Sequence, residues 1–215
     1  MKRKLVLTSA VVLILALLAA GTFAYFSKDA RATNVITTGT ISIVLNDEIK
    51  DTGAKPDGTG WKLEGVMPGQ AVDKIVRVDN TGTSPAWLRV KLGISVTMAA
   101  GKNDTWNGQN VVTFTPNMNT ETGEGWFLAE DGYYYYSKPV AANASTLKFF
   151  AEDSLMLNPQ LPNDYQGCTV TVAVQAQAVQ VKNNDSYTDG DKTVTITTLT
   201  ADNVDKIADT FPAAD

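Results

Sequence analysis

Apolar and polar residues alternate with a period of two along most of the chain beyond its first forty positions. That pattern predicts strands buried on one face. Residues 40–45 set Ile41, Ile43 and Leu45 on one side. A run at 72–78 follows a turn at Pro68-Gly69 and meets another at Asn80-Thr81-Gly82. From 87 to 96, Leu88, Val90, Leu92, Ile94 and Val96 stay in step, and shorter runs lie at 111–115 and 133–136. The clearest strand is 168–181, with Val170, Val172, Val174, Ala176, Ala178 and Gln180 on one side. Residues 193–199, rich in β-branched side chains, predict a further edge strand. Clusters of Gly, Asn and Asp at 47–60 and 182–191 read as loops. Helix is scarce: one turn at 151–157 and two at 203–210, where Val204, Ile207, Ala208 and Phe211 share a face. Strands without an alternating helix predict an all-β fold, an antiparallel sandwich of jelly-roll or immunoglobulin-like kind. One domain over 38–181 and a short C-terminal appendage over 182–215 is the simplest organisation.

The head of the chain has a different pattern. Lys2-Arg3-Lys4 precedes residues 5–27, which carry no charge and are rich in Leu, Val and Ala. As a helix, at about 1.5 Å per residue, such a run could cross a bilayer core of roughly 30 Å. It reads as a cleaved signal peptide over 1–24 or as a retained membrane anchor. Thr22 and Ala24 put small residues at both positions that a signal peptidase reads, so cleavage would leave Tyr25 first. No cysteine follows the apolar run, which excludes a lipoprotein anchor. The expected location is secreted, extracellular or at the cell surface.

Composition removes much of the catalytic repertoire. There is no histidine among the 215 residues, which excludes Ser-His-Asp and Cys-His catalysis and every histidine-dependent zinc site. Cys168, the single cysteine, can form neither an internal disulfide nor a multi-cysteine metal site. The formal net charge is -5, and without the three basic residues of the head 15 basic face 23 acidic ones. An acidic body repels phosphate backbones, so no nucleic-acid partner is expected.

Several segments together resemble the TasA/camelysin family. They are the basic head and apolar run, Gly21-Thr22-Phe23-Ala24-Tyr25-Phe26, and Ala32-Thr33-Asn34-Val35-Ile36-Thr37-Thr38-Gly39-Thr40-Ile41. Further on come Met67-Pro68-Gly69-Gln70, Asn80-Thr81-Gly82, Trp87-Leu88-Arg89-Val90, Tyr165-Gln166-Gly167 and Val172-Ala173-Val174-Gln175-Ala176-Gln177-Ala178-Val179-Gln180. The likeness covers residues 1–181 and is carried by the order of the pieces. It implies a jelly-roll subunit of extracellular or biofilm-matrix fibres, exported through a dedicated SipW-type signal peptidase. Its partners would be further copies of itself or related fibre subunits. Polymerisation would run by donor-strand complementation, in which the N-terminal segment of one subunit completes the sheet of the next. Residues 25–37 suit that role: Phe26, Ala30, Ala32 and Ile36 could face a groove, while Lys28 and Asn34 interrupt the row. The other reading of 25–37 is a plain lead-in to a secreted domain.

Camelysin-like members have been described as metalloproteases, but carboxylates alone suit Ca²⁺ or Mg²⁺ better than Zn²⁺. We therefore expect no enzyme activity, no cofactor and no metal. The oxygen-rich stretch 183–191 lacks EF-hand spacing and reads as a solvated acidic turn. Trp61, Trp87, Trp106, Trp126 and Tyr133 to Tyr136 could build a sugar-stacking face on a monomeric binding module. Alternate tyrosines of a strand face opposite sides, however, which favours packing roles. Cys168 reads as a small buried apolar residue. Spacing identifies no isopeptide-forming triad. The C-terminal stretch could pair with the body's sheet, form part of the acceptor groove or cover it.

Overall fold

The computed structural model describes residues 40–51, 54–56, 61–62, 66–106, 110–182, 185–189 and 192–212. The expected leader, cleavage point and donor segment, residues 1–37, lie outside them. Residues Gly39–Asp215 form one compact unit, into which the C-terminal stretch is built.

Among the described residues thirteen strands follow in chain order: β1 (Ile43–Ile49), β2 (Lys55–Pro56), β3 (Trp61–Lys62), β4 (Lys74–Asn80), β5 (Ala86–Thr97), β6 (Val112–Thr113) and β7 (Met118–Asn119). Then come β8 (Glu124–Leu128), β9 (Tyr134–Tyr136), β10 (Met156–Leu157), β11 (Thr169–Gln180), β12 (Ser186–Asp189) and β13 (Lys192–Thr195). One turn of helix, α1 (Asp205–Ala208), follows them. All the strand pairs are antiparallel, and the fold is an all-β sandwich.

One layer is the sheet β11-β5-β9-β8-β7. Its spine is the pairing of β5 with β11, in register from Ala86 opposite Gln180 to Thr97 opposite Thr169. The alternation of both strands makes this register unique, since a slip of one residue would turn every Val and Leu outward. Small residues face large ones across it: Leu88 lies opposite Ala178 and Val90 opposite Ala176. The other layer is built on β1 and β4, paired from Ile43 opposite Asn80 to Ile49 opposite Lys74. On the far side of β4, the amides of Thr146 and Phe149 donate to the carbonyls of Val78 and Val76, at 2.9 and 2.7 Å.

Between the layers lies the main core: Val76 and Val78 from β4, Ala86, Leu88 and Val90 from β5, and the rings of Trp126, Tyr136, Phe149 and Phe150. The rings pack edge to face, with Phe149 and Phe150 centroids 4.8 Å apart and Trp126 and Tyr136 5.0 Å apart. A second core sits on the opposite face of the same sheet. There Trp87, Tyr133 and Tyr135 meet Ile196, Leu199, Val204, Ile207 and Phe211. The predicted helical face at 204–211 is thus buried, although regular helix covers only Asp205–Ala208. The turn of helix expected at 151–157 is absent: that stretch ends in strand β10, paired with β6. A short 3-10 turn stands instead at Asn163–Tyr165.

Candidate functional site

β5 carries a gradient of burial. Ala86 to Val90 are buried on both faces, whereas Leu92, Ile94 and Val96 on the main-core face are only half-buried. Opposite them in register, the Val170, Val172 and Val174 row of β11 is also half-buried, and Ala176 and Ala178 continue it. Facing this row from the other layer are the half-buried Ile41, Ile43 and Leu45. β1 and β11 run along the same side of the sandwich without pairing with each other. Among the described residues, β11 pairs only with β5 and β1 only with β4. This leaves, among the described residues, an open, apolar-lined side between two strand edges.

β11 has none of the usual protections of an edge. Proteins blunt free strand edges with charges, proline, bulges or shortness. β11 is 12 residues long, reads TVTVAVQAQAVQ, and contains no charge and no proline. Its edge N–H and C=O groups, unpaired by any other described strand, and its half-covered valines suit the addition of another strand.

The chain enters this side under firm control. Thr83 donates its amide to the Thr40 carbonyl at 3.0 Å, and Thr81 donates to the Ser42 carbonyl at 2.8 Å. Thr81 Oγ1 also bonds Ser42 Oγ at 2.9 Å. Asn80 organises the turn from inside, donating Nδ2 to the Ser84 and Val140 carbonyls, both at 2.9 Å, and accepting the Gly82 amide at 3.0 Å. A Cβ on Gly82 would collide with the Thr40 carbonyl, so glycine is required by close approach. The motif Asn80-Thr81-Gly82 therefore fastens residues 40–42, the start of the described chain, to the sandwich.

The other candidate groups have structural occupations. Trp87, Trp126, Tyr135 and Tyr136 are buried, with the tyrosines split between the two cores as alternation requires. Tyr136 donates to Glu124 at 2.6 Å and accepts the Leu147 amide, and Trp126 Nε1 donates to the Leu147 carbonyl. Trp106 is half-buried beside Tyr165, while the side chain of Trp61 is not among those described. In the oxygen-rich stretch, Asp185 accepts Trp87 Nε1 at 2.9 Å and the Lys182 amide at 2.8 Å, pinning the segment to the sheet. Asn183, Asn184, Gly190 and Asp191 lie outside the described residues. Cys168 is half-buried, and burial pushes its thiol up, away from the reactive thiolate. Thr22, Ala24, Tyr25, Phe26, Ala30, Ala32 and Ile36 also fall outside. Sequence reasoning assigned no task to Arg89, which the structure places almost wholly out of water between three elements.

A family model described as camelysin metallo-endopeptidase matches residues 1–124. No curated protein matches the chain, and no solved structure does. The family's description implies a catalytic metal, and the donors present do not fit one. The chain has no histidine and one cysteine, and among the described residues no three His, Cys, Asp or Glu side chains gather as a metal site. The match spans more than half of the 215 residues and includes the Asn80-Thr81-Gly82 fastening and the buried Trp87-Leu88-Arg89-Val90 strand. By that match, the chain belongs to the camelysin metallo-endopeptidase family.

Proposed function

We propose that this chain is a structural subunit that polymerises into extracellular fibres, with residues 25–37 of one copy adding to the open side of the next. Membership in the camelysin family supports a secreted, biofilm-associated protein. The observation that carries the finer reading is β11, a long, uncharged edge strand with a half-exposed apolar row. At roughly 3.3 Å per residue, a 13-residue donor and the 12-residue β11 both span about 40 Å. Phe26, Ala30, Ala32 and Ile36 would fill the gap between the β1 and β11 edges. Because the donor and the acceptor edge would be different segments of the chain, the contact would be head-to-tail and would build a filament rather than a closed dimer. Cleavage after Ala24 by a dedicated signal peptidase would release the donor and so act as the switch. The partners are further copies or related subunits, and the work is mechanical rather than enzymatic.

The test compares a form beginning at Tyr25 with one beginning at Thr38, by negative-stain electron microscopy and size-exclusion chromatography. Fibres from the first alone are expected. Monomers from both would overturn N-terminal self-assembly, and chelator-sensitive proteolysis by either would overturn the non-enzymatic reading.

A further inference from the structure

The second core is closed by residues 196–212, which cross the face of the sheet that points away from the main core. Ile196, Leu199, Val204, Ile207 and Phe211 are buried there. The Leu199 amide donates to the Ser137 carbonyl at 2.7 Å, and the Phe211 ring meets Tyr135 edge-on with centroids 5.6 Å apart.

Arg89, on β5, joins this segment to the sheet. Its side chain is 6% exposed. Nε donates to Gln177 Oε1 of β11 at 2.7 Å, Nη1 to the Tyr135 hydroxyl of β9 at 3.0 Å, and Nη2 to the Pro212 carbonyl at 2.8 Å. The guanidinium also lies over two rings, 3.9 Å from the Tyr133 centroid and 4.5 Å from that of Phe211. Its nearby countercharge is Asp131, 3.6 Å from Nη1, which also accepts the Tyr135 hydroxyl. A buried cation is tolerated only when its donors are met. Here each of the three guanidinium nitrogens donates to a different element, one of them the C-terminal segment and another the edge strand β11. Only a planar guanidinium can serve all three at once, because an ammonium is a compact point charge without the fork.

We infer that residues 196–212 are a strap whose docking, transmitted through Arg89 and Gln177, holds the edge strand β11 against β5. With the strap seated, the charge is satisfied and Gln177 is fixed. With Phe211 and the Pro212 carbonyl withdrawn, Arg89 gains water on one side and loses its alignment, and the 175–180 half of β11 loosens. Val179 and Val181, which pack on the second core, loosen with it. Resting on the fibre reading above, the strap then sets how well the acceptor edge is preorganised for a donor.

Hydrogen exchange read by mass spectrometry on the full-length chain in detergent micelles tests this, with Phe211→Ala and Arg89→Lys as variants. In each, amides of residues 175–180 exchange about tenfold faster or more, since a charged hydrogen bond is among the stronger ones a fold contains. Amides of β4 keep their rates, and the double variant is no faster than either single one. Unchanged β11 rates in Phe211→Ala overturn the coupling. So does equal acceleration in β4 and β11, which means general destabilisation, and so do additive effects in the double variant. If Arg89→Lys does not fold, Phe211→Ala carries the test alone. The assay needs no polymer, so failure of the Tyr25 form to make fibres removes the fibre reading and leaves the strap standing.

Discussion

Asn80 uses every polar atom of its side chain on the backbone around it, and Gly82 keeps clear the space through which the chain enters the sandwich. Replacing Asn80 by Ala takes the Asn80 amide from the buried Ser84 carbonyl, while the Val140 carbonyl keeps the Ala86 amide and the Gly82 amide keeps the Ser42 carbonyl. The expected cost is roughly 1–3 kcal/mol, read from chemical denaturation, the order of one unmade buried hydrogen bond. Gly82→Ala acts differently. Its methyl has no room beside Thr40, so residues 40–42 must leave the turn, at about 1–3 kcal/mol. That loss is local, and amide exchange should rise at Ser42, Thr81 and Thr83 ahead of the main core. An equal rise throughout would contradict the view that this turn is a fastening. The motif was legible as a turn in the sequence, but the need for glycine was not. Gly82 has no positive φ, and its constraint comes from Thr40 and Ser42, some forty residues earlier.

At the scale of one element, β11 separates a free edge from a merely exposed one. Its two faces differ: Val172 points into the half-covered cleft, while Thr171 is exposed on the other face. Val172→Lys puts a charge where a donor's apolar side chains would sit, one of the devices by which proteins protect edges. It should abolish fibres while costing the monomer roughly 1 kcal/mol, the value of a half-buried Val. Thr171→Lys should leave stability within about 0.5 kcal/mol and reduce fibre yield far less. Electron microscopy and thermal melts of both variants check the pair. Equal effects of the two would mean that the cleft is not the acceptor. The strand itself is plain in its alternation, and its predicted inward row is half-buried from Val170 to Ala178, with Gln180 at its end exposed. That it would lie at an edge was not visible, because alternation records which face is buried and not which strand lies alongside.

At the scale of the whole sandwich, two cores of the described residues share one sheet, and the tyrosines of β9 stand in both. Burial, with Asp131 accepting its proton, pushes the Tyr135 hydroxyl up to about 12 against the pull of Arg89. Burial and the bond to Glu124 raise Tyr136 further. The fold thus favours the neutral phenols. Their contribution to stability is complete below the unfolded value near 10 and is lost as pH rises from there through about 12. Urea midpoints should fall steeply over that window. In Tyr135→Phe the midpoint should start lower at neutral pH, having lost the bonds to Arg89 and Asp131, and fall less steeply above pH 10. An unchanged alkaline slope would show that Tyr135 is not the group that titrates.

Local pattern by itself determined the class of fold, the inward rows of β5 and β11 and the loss of histidine chemistry. Those depend on a period of two and on composition, which need no knowledge of neighbours. The strand β8 was missed because Gly123, Glu124 and Gly125 look like a turn. Gly125 is there because its φ is +153° and the Asn117 carbonyl passes where a Cβ would stand. The inward row of β5 runs through Leu88 and Val90, which leaves Trp87 and Arg89 on its other face, and only the arrival of residues 196–212, more than a hundred positions later, makes that face a second core. The open side between β1 and β11 likewise follows from sheet order. Long-range pairing chooses which edges meet, and no single stretch of the chain carries that choice.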